Sequence, residues 1–330
     1  MSAHIRDYEG ANVFFVGVGG SSMSGLAGLL KEMGYRVKGS DRTASHKTEA
    51  LVKKGIPVCI GHDAQNVRGA DLIVYSAAIK PDNPERAEAS RLHIPQIERA
   101  ALIGQLMEGY EARIGVSGTH GKTTTTAMLA QVLVECGTQP TIHIGGELDA
   151  VGGSTLLGKR DVFLTEACEF SGSFLQFKPN VAVILNIDED HLDYYKDLDD
   201  IERAFAAFAA LTPSDTGLCV GWGDDLRVRR VMEQSGRRCR FYGLSPANEL
   251  RAENISYDEY GRPHCTVTLF GHPLCELDLQ VACEHNLLDA LAVIAVAERL
   301  ELPMAKVAQS LGRFTGAHRR FELTSVTDGV

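Results

Sequence analysis

The residues best equipped for chemistry lie in one run, Ile114-Gly115-Val116-Ser117-Gly118-Thr119-His120-Gly121-Lys122-Thr123-Thr124. A glycine loop ending Gly-Lys-Thr suits a polyphosphate. Its backbone N–H groups approach the oxygens, a following helix adds positive potential, Lys122 adds a full charge, and the Thr123 hydroxyl can ligate Mg2+. The general pattern wants a glycine where Val116 stands, so what remains is the tighter form Gly118-x-x-Gly121-Lys122-Thr123. Two apolar runs further on end in ligands for hard cations. The first, Val162-Phe163-Leu164-Thr165, leads to Glu166 and Glu169; the second, Val181-Ala182-Val183-Ile184-Leu185, leads to Asp188-Glu189-Asp190-His191. If the sheet is parallel, these ends lie beside the loop, and Thr123, Glu169 and His191 surround a nucleotide-bound Mg2+. A solvated acidic loop is the plain alternative.

These groups need a scaffold that holds strand ends together. The opening apolar residues of that run, from Ile114, read as a buried strand, and Ala127, Met128, Leu129, Val132 and Leu133 read as the helix after the loop. An earlier unit repeats the plan: the strand Asn12-Val13-Phe14-Phe15-Val16, the turn Gly17-Val18-Gly19-Gly20-Ser21-Ser22, and a helix through Met23, Leu26 and Leu30. A second strand delivers Asp41, placed to read a ribose hydroxyl, and a third ends at Ser76-Ala77-Ala78-Ile79. The fingerprint is imperfect, because Ser22 stands where its third glycine should be. A structural unit without ligand is the alternative.

Residues 97–107 read as a helix, and the polar break at 108–113 as the linker between domains 1–109 and 110–330. Gly145-Gly146 reads as a turn, residues 201–211 as a core helix, Phe270-Gly271-His272-Pro273 as a hairpin turn, and 287–300 as an apolar helix. His285-Asn286 before it reads equally as a helix cap, and Arg319-Arg320 equally as surface charge.

With 330 residues, 44% of them hydrophobic, the chain exceeds one typical core. A formal charge of −10 disfavours nucleic acid and acidic lipid, so phosphate must be bound locally. No apolar run approaches the roughly 18 residues of a membrane span, and residues 1–10 are charged and lack the apolar stretch of a signal peptide. A cytoplasmic protein acting on small molecules, monomeric or weakly dimeric, is expected. Eight cysteines without a C-x-x-C pair are expected to be reduced and mostly buried.

Taken together, the chain resembles the Mur ligase family over residues 12–321, almost its whole length. The motifs are Gly17-Val18-Gly19-Gly20 with Met23-Ser24-Gly25, Gly39-Ser40-Asp41, Ser76-Ala77-Ala78-Ile79, Gly118-Thr119-His120-Gly121-Lys122-Thr123-Thr124, Glu166-Ala167-Cys168-Glu169, Asn186-Ile187-Asp188 with Asp190-His191-Leu192-Asp193, His285-Asn286, and Arg319-Arg320-Phe321. His120 is more typical of the alanine-adding members than of later ones. The resemblance implies an α/β protein: a Rossmann-like doubly wound domain that holds a UDP-sugar, then a central P-loop ATPase-type domain.

It implies that Gly19, Gly20, Ser22, Asp41, Ser76 and His120 contact the nucleotide sugar. ATP would meet the loop from Gly118 to Thr124 together with His285, Asn286 and Arg320. Lys122, Glu169 and His191 would be catalytic, with Thr123, Glu169 and His191 on the metal. The implied reaction joins L-alanine to UDP-N-acetylmuramate, with ATP and Mg2+, through an acyl phosphate in peptidoglycan precursor synthesis.

Three departures bear on this. No lysine stands in 201–211 where several relatives carry a carbamylated one. Cys168 stands where many carry Asp. The family's third, C-terminal domain should begin about where Val330 stands, so a two-domain form poor in ligation is expected. The alternatives are another Mur-type ligase such as one recycling a tripeptide, a non-catalytic nucleotide-sugar-binding protein, and an NAD oxidoreductase, against which Ser22 and the ATP loop count.

Overall fold

A computed structural model describes residues 3–148 and 153–316. The first sheet is built from β1 (Asn12–Val16), α1 (Ser21–Glu32), β2 (Arg36–Asp41), α2 (His46–Lys53), β3 (Val58–Ile60), β4 (Leu72–Tyr75), α3 (Pro84–Arg91), β5 (Gln96–Glu98) and α4 (Arg99–Met107). Its order is β3-β2-β1-β4-β5, every pairing parallel. The order reverses between β1 and β4, so their carboxyl ends open the crevice in which such sheets bind ligands. Strand β1 is buried from Val13 to Val16, which explains its unbroken apolar run.

The second sheet takes β6 (Ala112–Ser117), α5 (Lys122–Glu135), β7 (Thr141–Leu148), β8 (Gly153–Leu156), β9 (Val162–Glu166), β10 (Val181–Ile184), α6 (Leu198–Ala210), β11 (Leu218–Trp222), α7 (Leu226–Gln234), β12 (Cys239–Gly243), β13 (Leu250–Tyr257), β14 (Pro263–Leu269) and β15 (His272–Asp278), followed by α8 (Glu284–Arg299) and α9 (Met304–Leu311). The order is β15-β14-β13-β12-β11-β10-β6-β9-β7-β8. Strand β6 lies between β10 and β9, parallel to both, so three carboxyl ends meet where the phosphate loop begins. The outer β13-β14-β15 meander and the β7-β8 edge are antiparallel.

The two sheets share packing. One buried cluster joins Ile103, Leu106, Met107 and Tyr110 to Phe163, Phe174 and Phe177. The Tyr110 ring meets Phe163 edge-on at 5.1 Å, and its hydroxyl donates to Thr141 Oγ1 at 2.9 Å. Helix α4 comes so close to the 3-10 turn Phe170–Gln176 that a Cβ on Gly104 would overlap the Gln176 carbonyl oxygen.

Several sequence expectations shift. Residues 96–98 form β5, so the helix expected at 97–107 starts at Arg99. Gly145-Gly146 lies inside β7, not in a turn. A Cβ at Gly145 would sit 2.8 Å from Glu166 Oε2, so close approach of the neighbouring strand accounts for that glycine. Helix α8 begins at Glu284 with Cys283 as its N-cap, which places His285 and Asn286 inside the first turn and removes their reading as caps. The eight cysteines are free, but only Cys219 and Cys265 are fully buried, and Cys59 and Cys283 are exposed.

Because neither backbone at the α4 contact can retreat without moving a sheet, Gly104→Ala should destabilise the protein by about 1–3 kcal/mol. Urea unfolding checks this; an unchanged midpoint would contradict the packing described.

Candidate active site

Strand β6 is buried from Ile114 to Ser117 and runs directly into the loop and α5. Gly121 is the N-cap of α5 at φ +83°, a left-handed conformation that favours glycine, and a Cβ there would lie 2.8 Å from Asp289 Oδ1. No side chain caps α5, so the N–H groups of its first turn remain available to an anion. Asn186, just past β10, braces the loop from the other side. Its Oδ1 accepts from the His120 N–H at 2.7 Å and its Nδ2 donates to the His120 carbonyl at 3.1 Å. The Asp188 N–H donates to Thr119 Oγ1 at 2.9 Å.

Lys122 turns back over this loop. Its Nζ donates to the carbonyls of Gly118 and Thr119 and lies 3.0 Å from Glu169 Oε1. Glu169 is 2% exposed, and its Oε2 has no hydrogen-bond partner. Leaving a buried acceptor unsatisfied costs about 1–3 kcal/mol, more for a charged group. A cation at that oxygen removes the cost.

Glu169, Asp190 and His191 each offer a ligand atom within 4.8 Å of one another, and His191 Nε2 is 4.0 Å from Glu169 Oε1. Thr123 occupies the first turn of α5 beside Lys122. Two carboxylates, an imidazole and a hydroxyl near a phosphate loop fit a divalent ion that keeps oxygen ligands and substrate phosphates. The surroundings hold these groups in place: Tyr195 Oη donates to the Glu169 carbonyl at 2.6 Å, and the Phe170 ring packs edge-on against His191 at 4.9 Å.

In the first sheet, the Gly19 N–H donates to Asp41 Oδ2 at 2.7 Å, so Asp41 shapes the glycine turn whatever else it reads. Ser22, in the first turn of α1, is 2.9 Å from His143 Nε2 of β7 and accepts from Arg99 Nη1 at 3.1 Å. Burial pushes the His143 imidazole down to about 3, with the Arg99 charge acting the same way. Burial also raises the Cys168 thiol while Lys122 and Arg99 pull it down, so both cations act on the segment that carries Glu169. Ser76 is half-buried just past β4.

The structure therefore gathers the loop, Glu169 and His191 at one set of strand ends, and Gly19, Gly20, Ser22 and Asp41 at another. His285 is exposed on α8, whereas Asn286 is fully buried and donates to the Ala282 carbonyl at 2.6 Å. Arg320 lies outside the described residues. Asn286 Oδ1 has no hydrogen-bond partner.

Sequence reasoning missed Arg99, His143 and Asp289. Asp289 follows Asn286 by one helical turn, a spacing that could have flagged it. Its Oδ1 accepts from Thr125 Oγ1 at 2.8 Å, and burial pushes its carboxyl up to about 7 despite that bond.

A parallel sheet with a phosphate loop at its centre, joined to a Rossmann-like sheet, makes this a P-loop α/β protein. Residues 12–111 match the model described as the Mur ligase family, catalytic domain, and 116–297 match the Mur ligase middle domain. The chain belongs to the Mur ligase family. It is 44% identical over 320 residues to the UDP-N-acetylmuramate--L-alanine ligase of Acetivibrio thermocellus, covering 97% of this chain and 68% of that protein. To the same-named protein of Clostridium novyi it is 43% identical, covering all of this chain and 71% of the other.

Among solved structures, UDP-N-acetylmuramate-alanine ligase MurC from Thermotoga maritima superposes with a TM-score of 0.82 at 31% identity, over 96% of this chain and 72% of that one. The UDP-N-acetylmuramate:L-alanyl-gamma-D-glutamyl-meso-diaminopimelate ligase of Neisseria meningitides gives 0.83 at 28% identity, over 94% and 99%.

The raised carboxyl of Asp289 sets a pH dependence. The folded state keeps this proton up to about 7, whereas an unfolded carboxyl releases it near 4, so the stability contributed below that window is lost as pH rises through it. Asp289→Asn should remove that loss and gain about 4 kcal/mol over the parent at pH 8, and little at pH 4. Denaturant unfolding at both pH values measures it. An equal difference at the two would contradict the assignment.

Proposed function

We propose that this chain carries the nucleotide-sugar and ATP sites of an ADP-forming UDP-N-acetylmuramate–L-alanine ligase of peptidoglycan precursor synthesis. The observation that carries the reading is the pair of half-buried Lys122 and buried Glu169 at the end of the phosphate loop, with an unpartnered Glu169 oxygen next to Asp190 and His191. The printed names of the curated relatives support the choice of acid and amine. Residues 1–109 form the nucleotide-sugar domain in this reading, and 110–330 the ATP domain. Gly19, Gly20, Ser22, Asp41 and Ser76 hold the UDP-sugar, with His120 facing it from the loop. ATP is consumed where the cell keeps it, in the cytoplasm.

A carboxylate is a poor acyl donor. Phosphoryl transfer from ATP to the lactyl carboxylate makes an acyl phosphate, and the alanine amine then displaces phosphate. The residues here need only position and neutralise charge. The loop N–H groups and α5 hold the phosphates, with His285 and Asn286 toward the nucleotide. Lys122 leaves Glu169 for the transferring phosphoryl group. Glu169, His191, Asp190 and Thr123 would hold Mg2+, which offsets charge on the transferred phosphate. Once Lys122 has moved, Glu169 would otherwise be a buried carboxylate without a countercharge, so Lys122 release and metal arrival are linked.

Calorimetric titration tests the reading. UDP-N-acetylmuramate should bind and NAD should not. Lys122→Ala should weaken ATP binding at least tenfold while leaving the nucleotide sugar within about twofold, since one lost buried charge contact costs more than 1.4 kcal/mol. Binding of NAD in place of the nucleotide sugar, or ATP affinity indifferent to Lys122, would refute it.

A further inference from the structure

Strands β11 and β12 are parallel neighbours, and Cys219 stands directly opposite Cys239 in their register. Side chains paired this way leave the sheet on the same face, and both thiols join the apolar cluster that packs α6 and α7 against it. Neighbouring strands lie about 4.8 Å apart, within the Cα separation of about 4.4–6.8 Å that a disulfide spans. The backbone is already placed to join them. Cys265 and Cys275 of β14 and β15 offer a contrast, because they face Leu277 and Val267 and not each other. Diagonal neighbours of that kind sit about 7–8 Å apart, too far to bridge.

The Cys219 and Cys239 thiols hydrogen-bond one another. That contact pulls Cys219 down, with Thr212, the Arg237 charge and Ser235 acting the same way against burial. It pushes Cys239 up, as burial does. The pair therefore ionises as a unit, in which one proton leaves readily and the other is shared between two sulfurs. Arg237, whose guanidinium donates to the Ala210 carbonyl at 2.9 Å, supplies a nearby countercharge. Cys219 is fully buried and Cys239 half-buried, so an oxidant enters at Cys239.

We infer that Cys219 and Cys239 are a redox site, a dithiol that a low-molecular-weight disulfide converts into a reversible bridge between β11 and β12. The Cys239 thiolate attacks one sulfur of the oxidant and expels its other half as a thiolate. Cys219 then attacks the Cys239 sulfur of the mixed disulfide, and the second half leaves. The oxidant takes up the two electrons, and the two protein thiol protons end on the two small thiols released.

The reduced state has contacts of its own to lose. Cys219 Sγ lies 3.5 Å from the Ala209 carbonyl and from Thr212 Oγ1, and Cys239 Sγ lies 3.3 Å from the Arg237 carbonyl. A disulfide has no S–H to donate, so oxidation gives these bonds up. Favouring the dithiol in this way makes the couple more oxidising, the mark of a labile bridge and not of a structural one. Both cysteines sit at the amino ends of their strands, opposite the carboxyl ends that carry the phosphate loop, so the inference does not depend on the function proposed above.

The test incubates the whole chain with excess oxidised glutathione, quenches in acid, alkylates the remaining thiols and maps the peptides by mass spectrometry. A peptide pair joined through Cys219 and Cys239 is expected, absent from Cys239→Ser, with glutathione carried singly on the exposed Cys59 and Cys283. Excess reduced glutathione should then remove the bridge without denaturant. Absence of the bridge from the parent would overturn the proposal, as would glutathione held on Cys239 beside a free Cys219, or a bridge that reductant reaches only after unfolding. The parent map decides the matter whether or not the variant folds.

Discussion

The ion pair between Lys122 and Glu169 is the interaction on which the arrangement turns. A carboxylate that is 2% exposed survives in a protein interior only with a countercharge and hydrogen bonds. Lys122 supplies the first, and it is itself held by the loop carbonyls. One oxygen of Glu169 is left without a partner. The resting site thus stores an incomplete charge arrangement that metal and nucleotide phosphates can complete. Everything around it keeps that geometry: β6, β9 and β10 pair in parallel so that loop, Glu169 and His191 arrive at one edge.

The first sheet is joined to this site by more than a linker. Its helices α1 and α4 pack on β7–β8 and on the 3-10 turn that follows Glu169, with Gly104 setting the closest approach. Two glycine turns each open a helix whose start lacks a side-chain cap. Separate anion sites on rigid elements suit a reaction that must bring a carboxylate on one nucleotide to the terminal phosphate of another.

Much of this was legible in the sequence because its signals are local. The loop is consecutive, the strand before it is buried from Ile114 on and the one before Asp188 throughout, and the glycine turn with Asp41 follows the spacing of a doubly wound sheet. What escaped notice is tertiary. Arg99 meets Ser22 across 77 residues and His143 meets it across 121, and no periodicity links them. Gly145 misled in a different way: a glycine in a strand reads as a turn unless one knows that Glu166 presses against it. Cysteine burial was overestimated because strands β14 and β15 leave one face toward solvent, where Cys275 sits half-covered.

The central claim is that Lys122 and Glu169 separate when nucleotide and metal arrive. A crystal structure with a non-hydrolysable ATP analogue, Mn2+ and UDP-N-acetylmuramate addresses it directly, because manganese is located by its anomalous scattering. An anomalous peak at the Glu169 and His191 side chains is expected, with Lys122 Nζ moved onto the nucleotide phosphates. A peak elsewhere, or an intact Lys122–Glu169 pair with nucleotide bound, would contradict it.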